Sequence, residues 1–424
     1  MKAAYLTLGC KVNQYDTNAM QELMEAAGYE TVEFTEAADV YLINTCTVTN
    51  VADRKSRQMI RRAAEQNPGA VVCVTGCLAQ RHKDEILAIE GVDAVIGVNQ
   101  RGKIVEIIER ARRGEEAVAV EDISRERKFE PLTISRMTER TRAHIKISDG
   151  CDNFCSYCII PYTRGRVRSR GFNDIIEEAE RLALSGVKEV VLTGIHISSY
   201  GKDLDNVSLI DLIERIAEIE GIERIRLGSL EPTVLTRNFC ARASLVKKLC
   251  PHFHISLQSG SAGVLKRMNR HYTPEEYAGF CENLRTFFID PAITTDIIAG
   301  FNSETDEEHK ETVEFAKRIG FAKVHVFVYS EREGTQAVRM GGMLPMPLRK
   351  QRAQELIAVT DELHRQYIEK YVGRELNVLF EEEKDGHFYG YTDRYIRVRG
   401  NGSPNEMKCV KIIGVQDDVL IAEE

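Results

Sequence analysis

The 424-residue chain contains no tryptophan. It has no run approaching the roughly 20 apolar residues that a membrane span needs. Its opening, MKAAYLTLGC, lacks the apolar stretch of a secretory signal and reads as a strand. A spanning or exported chain is therefore not expected, and a cytoplasmic one is. Internal repeats and low-complexity segments are also missing, which excludes solenoid and disordered classes. Neither sign of charge dominates: 57 basic residues against 65 acidic ones give −8. That excludes a protein basic all over, of the kind that coats nucleic acid, but not a local basic patch. At about 100–200 residues per domain, the length fits two to four domains. What the chain does have is 11 cysteines. In a chain of cytosolic character disulfides are rare, so metal-binding or catalytic thiols are the first expectation.

Three cysteines fall within eight residues: Cys151-Asp-Asn-Phe-Cys155-Ser-Tyr-Cys158, a C-x3-C-x2-C spacing. Three thiolates can wrap one face of a metal centre without closing it. A structural zinc site takes four ligands, and no fourth Cys or His follows closely; His144 lies seven residues upstream. A 4Fe–4S cluster held by three thiolates leaves one iron open to a small molecule. Zinc and plain core cysteines stay as alternatives on spacing alone.

Short apolar runs alternate with amphipathic ones over the first 115 residues. Strands are expected at AAYLTLG, Val40–Asn44, Ala70–Thr75 and Asp93–Gly97. Helices are expected at Asn13–Ala27, Asn50–Glu65, Arg81–Ile89 and Arg101–Arg112. Strand–helix alternation implies a parallel sheet with right-handed crossovers. Cys10, Cys46 and Cys77 each sit just past a predicted strand end, the edge where ligands bind in such sheets. They either converge there or are three small buried residues; Cys73, inside a strand, reads as core. Residues 115–140 carry charge without a period and read as a linker with one short strand. From Ala143 six strands alternate with five helices, implying a (β/α)6 partial barrel with the three-cysteine loop after its first strand, at the rim where barrel sites are built. Leu348–Tyr371 follows a helical period. After Gly373, short alternating runs broken by turn residues imply a small five-stranded β-barrel. The fold class is thus α/β with three domains: 1–115, 137–371 and 372–424.

The C-x3-C-x2-C spacing with Tyr157 before the last cysteine resembles the signature of the radical S-adenosylmethionine (SAM) enzymes. Three further motifs resemble the methylthiotransferase family within it: Leu8-Gly9-Cys10-Lys11-Val12-Asn13-Gln14-Tyr15, Ile43-Asn44-Thr45-Cys46-Thr47-Val48-Thr49-Asn50 and Val74-Thr75-Gly76-Cys77-Leu78-Ala79-Gln80. The cysteine loop continues through Ile159-Ile160-Pro161 to Arg164-Gly165-Arg166. The resemblance covers the whole chain and implies a TRAM module at its C-terminus. The letters around Cys10 and Cys46, followed by Asp53-Arg54-Lys55-Ser56-Arg57-Gln58, resemble the branch acting on N6-threonylcarbamoyladenosine at tRNA position 37. The branches acting on isopentenyladenosine or on a ribosomal-protein aspartate are the enzyme alternatives; an iron–sulfur RNA-binding protein without turnover is the non-enzyme one.

The resemblance implies two 4Fe–4S clusters. One, on Cys151, Cys155 and Cys158, cleaves SAM to a radical that takes hydrogen from carbon 2 of the adenine. The other, on Cys10, Cys46 and Cys77, carries the sulfur, which a second SAM methylates. It also implies a low-potential electron donor of flavodoxin or ferredoxin type and a sulfur donor. Tyr157, Gly194, Glu231 and Gln258 are the expected SAM contacts at the rim. Family patterns differ at Asn302, Ser303, Val328, Gln336 and Ser261, all in predicted rim loops. From Arg125 to Arg170, 11 basic residues face five acidic ones. There Arg164, Arg166, Arg168 and Arg170 alternate after the cysteine loop, and the first three are expected to meet RNA phosphates. Arg394, beside Tyr391 and Tyr395, is a further RNA candidate, although the C-terminal module counts seven basic residues against 11 acidic.

Overall fold

The computed structural model describes residues 1–134 and 141–423. Arg136 and Arg140 of the basic segment, and the expected start of the central domain at 137, lie outside the described residues.

The first sheet consists of β1 (Lys2–Thr7), β2 (Glu30–Val32), β3 (Val40–Thr45), β4 (Val71–Gly76), β5 (Ala94–Ile96) and β6 (Ala117–Ala119), all parallel, in the order β2-β1-β3-β4-β5-β6. Every residue of β3 and β4 is buried, as strands covered on both faces must be. Met20 and Met24 of helix Lys11–Ala26 and Ile104, Ile107 and Ile108 of helix Ile104–Arg112 cover one face. Ile60 and Ala63 of helix Asn50–Gln66, with Leu78, Ala79 and Ile86, cover the other. The chain steps outward from β1 to β2 and returns to β3 on the far side of β1. The C-terminal ends of β1 and β3 therefore flank the crevice where strand order reverses. Two local expectations are corrected. β2 is absent from the expected strands because it is three residues long with no apolar run. The helix expected over Arg81–Ile89 is two helices, Cys77–Arg81 and Lys83–Leu87, broken at His82.

The central sheet starts with β7 (Arg142–Asp149), to which the two-residue β8 (Arg168–Ser169) adds antiparallel. β9 (Glu189–Gly194), β10 (Arg224–Leu227), β11 (His252–His254), β12 (Ala292–Ala299) and β13 (Lys323–Val328) follow in chain order, parallel to β7. Bridges Ile225↔Leu249 and Leu230↔Ile255 carry the curve from β10 to β11. This is an open (β/α)6 barrel around one apolar core. The helices before β12 and β13 open with reciprocal capping, Thr273 with Glu276 and Thr305 with Glu308.

After helix Met346–Glu369, strands β14 (Glu375–Lys384), β15 (His387–Thr392), β16 (Arg397–Gly400), β17 (Met407–Gln416) and β18 (Val419–Ala422) close a small barrel in the order β14-β15-β16-β18-β17. It docks on the N-terminal ends of the central strands through arginines. Arg224 donates to the Tyr391 and Asn377 carbonyls, and Arg226 to those of Thr392 and Asp393. Arg142 pairs with Glu381 at 2.5 Å. Arg394 donates to the Ile289 and Asp290 carbonyls and pairs with Asp393, which corrects its expected place on an RNA-facing surface. Tyr391 and Tyr395 stack at 4.7 Å beside Arg142.

Glu189 anchors this joint. It is fully buried and pairs with Arg142 at 2.6 Å and Arg226 at 2.8 Å. Burial opposes its charge, but Arg226, Arg142 and Arg224 together hold its carboxyl at about 2. A carboxylate depressed in the folded state stabilises the fold above its unfolded pKa and loses that contribution as pH falls toward the folded one. Glu189→Gln is expected to cost about 3 kcal/mol at neutral pH, because buried guanidiniums lose their counter-charge. The difference in urea midpoint between variant and wild type should shrink as pH drops from about 4.5 toward 2.

Candidate active site

Cys10 follows β1, Cys46 follows β3, and Cys77 opens the short helix after β4. The strand register lays these three ends side by side. A Cβ placed on Gly9 would stand 2.9 Å from Cys46 Cβ and 3.1 Å from Cys46 Sγ, so the two loops touch. Asn13 ties them together, its side-chain amide donating to the Leu8 carbonyl at 2.7 Å and the Thr45 carbonyl at 3.0 Å. Cys46 and Cys77 are buried and Cys10 is exposed. Burial pushes the Cys46 thiol up to about 11, with Cys77 and Cys10 adding to the rise. Cys77 is likewise raised by burial, and Arg164 opposes that rise.

The second triad lies on the loop after β7. Gly150, in the left-handed region at φ +74°, lets this loop pass so close to the next turn that a Cβ would sit 1.8 Å from the Arg166 carbonyl oxygen. Asn269 donates to the Asn153 and Phe154 carbonyls and Ser156 N–H to the Met268 carbonyl, holding the loop from the β11 side. Burial raises Cys151 to about 11 and Cys158 to about 12.

Each triad has one buried arginine donating to one of its sulfurs. Arg164 Nε reaches Cys77 Sγ at 3.4 Å, and Arg270 Nη1 reaches Cys155 Sγ at 3.3 Å. Arg164 is fully buried. It pairs with Asp149 at 2.9 Å and Asp16 at 3.3 Å, and donates to Asn13 Oδ1 at 2.6 Å. Lys146 and Arg101 complete this charge network on Asp16 and Asp149. Burial opposes ionisation of Asp149, yet Arg164, Lys146, Arg168 and Arg101 hold its carboxyl well below the usual range. Arg270 is balanced by Glu231 at 2.9 Å, and His196 stands 3.8 Å from the same carboxylate.

The donor sets fit iron–sulfur clusters. Two sets of three thiols stand at loop edges, most of them held protonated by burial, and cationic irons would reverse that preference. Among the described residues, no three Cys, His, Asp or Glu side chains close on a point suited to one metal ion. A cluster instead takes each thiolate on a different iron.

The remaining expected residues fare differently. Glu231 is linked to the second triad through Arg270, while Gln258, at φ +73°, follows β11 with its N–H on the Asp296 carbonyl. Tyr157 packs edge-on against Phe301 at 6.3 Å, within an apolar cluster. The space beside Gly194 belongs to Ser148, whose Oγ a Cβ would meet at 2.5 Å. The close approach there is therefore that of a neighbouring strand. Three of the four alternating arginines are buried: Arg164 as above, Arg168 on the Arg164 and Arg166 carbonyls, and Arg170 on Glu178 at 2.7 Å. This corrects the expected row of phosphate-binding side chains, since buried guanidiniums already held by carboxylates and carbonyls cannot face RNA. Arg166 alone is exposed. Sequence reasoning missed Asn13 and Arg270. Asn13 lay inside a quoted motif, whereas Arg270 carries no local signal. Ser303 has a left-handed backbone at φ +54°, the conformation that a glycine favours.

An open (β/α)6 barrel with a three-thiol loop after its first strand and a carboxylate–arginine pair at its rim defines a radical SAM enzyme. The radical SAM superfamily model matches residues 145–316, and the uncharacterized protein family UPF0004 matches residues 2–97. Curated relatives include the threonylcarbamoyladenosine tRNA methylthiotransferase MtaB of Bacillus subtilis, 43% identical over 96% of this chain and 92% of its own. The protein of the same name from Aquifex aeolicus is 38% identical over 97% of this chain and all of its own. The tRNA-2-methylthio-N(6)-dimethylallyladenosine synthase of Clostridium tetani is 34% identical over 97% and 90%. Among solved structures, the radical SAM methyltransferase TsrM of Kitasatospora setae superposes with TM-score 0.56 at 14% identity, over 77% of this chain and 72% of its own. The chain belongs to the methylthiotransferase family of radical SAM enzymes.

Gly150→Ala is expected to displace the cysteine loop and reduce the iron that the reconstituted enzyme binds. Iron analysis together with the electron paramagnetic resonance signal of the reconstituted enzyme checks this.

Proposed function

We propose that this enzyme transfers a methylthio group to carbon 2 of N6-threonylcarbamoyladenosine at position 37 of tRNA, using two 4Fe–4S clusters and two SAM per turnover. The observation that carries the reading is the meeting of Cys10, Cys46 and Cys77 at the sheet's switch point, with the second triad's own segment reaching them through Arg164. A methyltransferase acting through one radical cluster has no use for this second triad. Higher identity to the two threonylcarbamoyladenosine enzymes than to the dimethylallyladenosine synthase supports the choice of nucleoside.

When bound, the cofactors supply both the radical that removes an unactivated C2 hydrogen and the sulfur that replaces it. The chain's own residues do the rest. Cys151, Cys155 and Cys158 hold one cluster at the barrel rim, and Cys10, Cys46 and Cys77 hold the other at the sheet edge. Arg270 and Arg164 place one positive charge against a thiolate of each. Glu231 and His196 line the rim beside Cys155, a polar wall for the amino acid end of SAM. Asn13, Asp16 and Asp149 keep Arg164 in place and exclude water from its side of the centre. The reading calls for a tRNA substrate, a low-potential electron donor of flavodoxin or ferredoxin type and a sulfur donor, all in the cytoplasm.

Anaerobic reconstitution should give about eight irons per chain. Cys10→Ala should retain about four irons and SAM cleavage but make no methylthiolated product, and Cys155→Ala should lose both activities. Full methylthio transfer by Cys10→Ala would refute the division of labour. Nucleoside mass spectrometry of a deletion strain should show 2-methylthio-threonylcarbamoyladenosine replaced by its unthiolated precursor.

A further inference from the structure

Helix Ile160–Arg164 leaves the second triad directly after Cys158. Its Pro161, Thr163 and Arg164 are buried, but Tyr162 is 50% exposed. The Tyr162 hydroxyl makes no hydrogen bond among the described residues. Its ring meets Phe154, inside the cysteine loop, edge-on at 5.7 Å, and the Arg166 guanidinium lies 4.7 Å over the Phe154 ring. Arg166 has one carboxylate partner, Asp152 at 3.3 Å, and both groups are about half exposed. Such an exposed pair contributes little and is readily exchanged for another anion. Tyr162 also borders a cleft of about 540 Å³, whose other walls are Gly334, Gln336, Arg339 and Met340. Met340 is exposed, and Arg339 makes no ion pair among the described residues. Two aromatic rings and the Arg166 guanidinium thus stand within eight residues of the radical-cluster cysteines, and Arg339 lines the same cleft as Tyr162.

We propose that the Tyr162–Phe154–Arg166 cluster and the adjoining cleft form a stacking platform for an unpaired RNA nucleotide flanking the one that reacts. The base lies on Tyr162 and the phosphate meets Arg339. The inference rests on the tRNA reading above. Single-stranded RNA presents unstacked bases to aromatic and guanidinium planes, and every base has a face to offer, so the platform needs no sequence. The cleft is large enough for a nucleotide-sized ligand. A base held here would keep its neighbour splayed out toward the cysteines at the rim. The platform also supplies RNA contacts from a row of arginines of which only Arg166 reaches solvent.

The test measures Kd of the reconstituted enzyme for a labelled tRNA anticodon stem-loop. Tyr162→Ala, with iron content matching wild type, should bind about tenfold more weakly. Tyr162→Phe should stay within about twofold, since stacking uses the ring face and not the hydroxyl. Arg339→Ala should flatten the salt dependence by about 0.7 in log–log slope, the value of one phosphate on a single strand. The chain has no tryptophan, so Tyr162→Trp introduces its only indole, whose emission should be quenched when the stem-loop binds. Unchanged affinity of Tyr162→Ala, equal losses in Tyr162→Ala and Tyr162→Phe, or unquenched indole emission from Tyr162→Trp at saturating RNA would each overturn the platform. These outcomes leave the tRNA reading standing as long as wild type binds the stem-loop. A wild type that binds no RNA at any salt removes both.

Discussion

The guanidinium of Arg164 is the interaction on which the rest of the site depends. It comes from the central barrel's cysteine loop segment, yet its partners Asn13, Asp16 and Cys77 belong to the first sheet, and only Asp149 is its own neighbour. A fully buried arginine is tolerable only when its charge is balanced and its donors are satisfied. Two carboxylates do the balancing, and Lys146 and Arg101 balance the carboxylates in turn. Two of its ion pairs, Lys146–Asp16 and Arg164–Asp16, cross from the barrel to the first sheet. The first sheet without the barrel would bury Asp16 with its cations reduced to Arg101, and the barrel without the sheet would leave Arg164 facing Asp149 alone.

From that constraint the geometry of the centre follows. Strand order in the first sheet reverses between β1 and β3, opening a crevice where Cys10 and Cys46 stand on either lip, with Cys77 one strand further. In the barrel the cysteine loop follows the first strand and lies at the same kind of edge, the C-terminal one. Arg164, six residues past Cys158, fixes how the two edges face each other. The C-terminal barrel takes no part in this, because Glu189 and its arginines hold it at the opposite ends of the central strands.

Much of this was legible in the sequence. Cys151, Cys155 and Cys158 stood out by spacing and Cys10, Cys46 and Cys77 by falling at strand ends, but only the register of the strands lays the last three side by side. The strands and helices of the central barrel were readable because each buries an apolar face with a plain period. The arginines were not readable. Alternation at 164, 166, 168 and 170 says that four charges follow one another, but not that Asp16, Asp149 and Glu178 wait on the inner side to receive two of them while backbone carbonyls hold a third. The most distant of those partners, Asp16, lies 148 residues from Arg164, and only the fold brings them close. Arg270 is the same case: its meaning comes from Cys155 and Glu231, both far upstream of it. Arg394 and the paired tyrosines looked like an RNA surface by composition, but the docking of one barrel on another uses the same residue types.

The shared charge network has a consequence for inheritance. Each half looks modular, with its own sheet, its own apolar core and its own thiol triad, and the linker between them invites recombination. Yet the salt-bridged interior does not respect that seam. A chimera that takes residues 1–115 from one relative and the remainder from another inherits Asn13, Asp16 and Arg101 from one parent and Lys146, Asp149 and Arg164 from the other. Where one parent lacks the charge at any of the five ionised positions, a charge is buried without its partner. The two halves are therefore joined energetically, although each would pass for a separate domain by its fold.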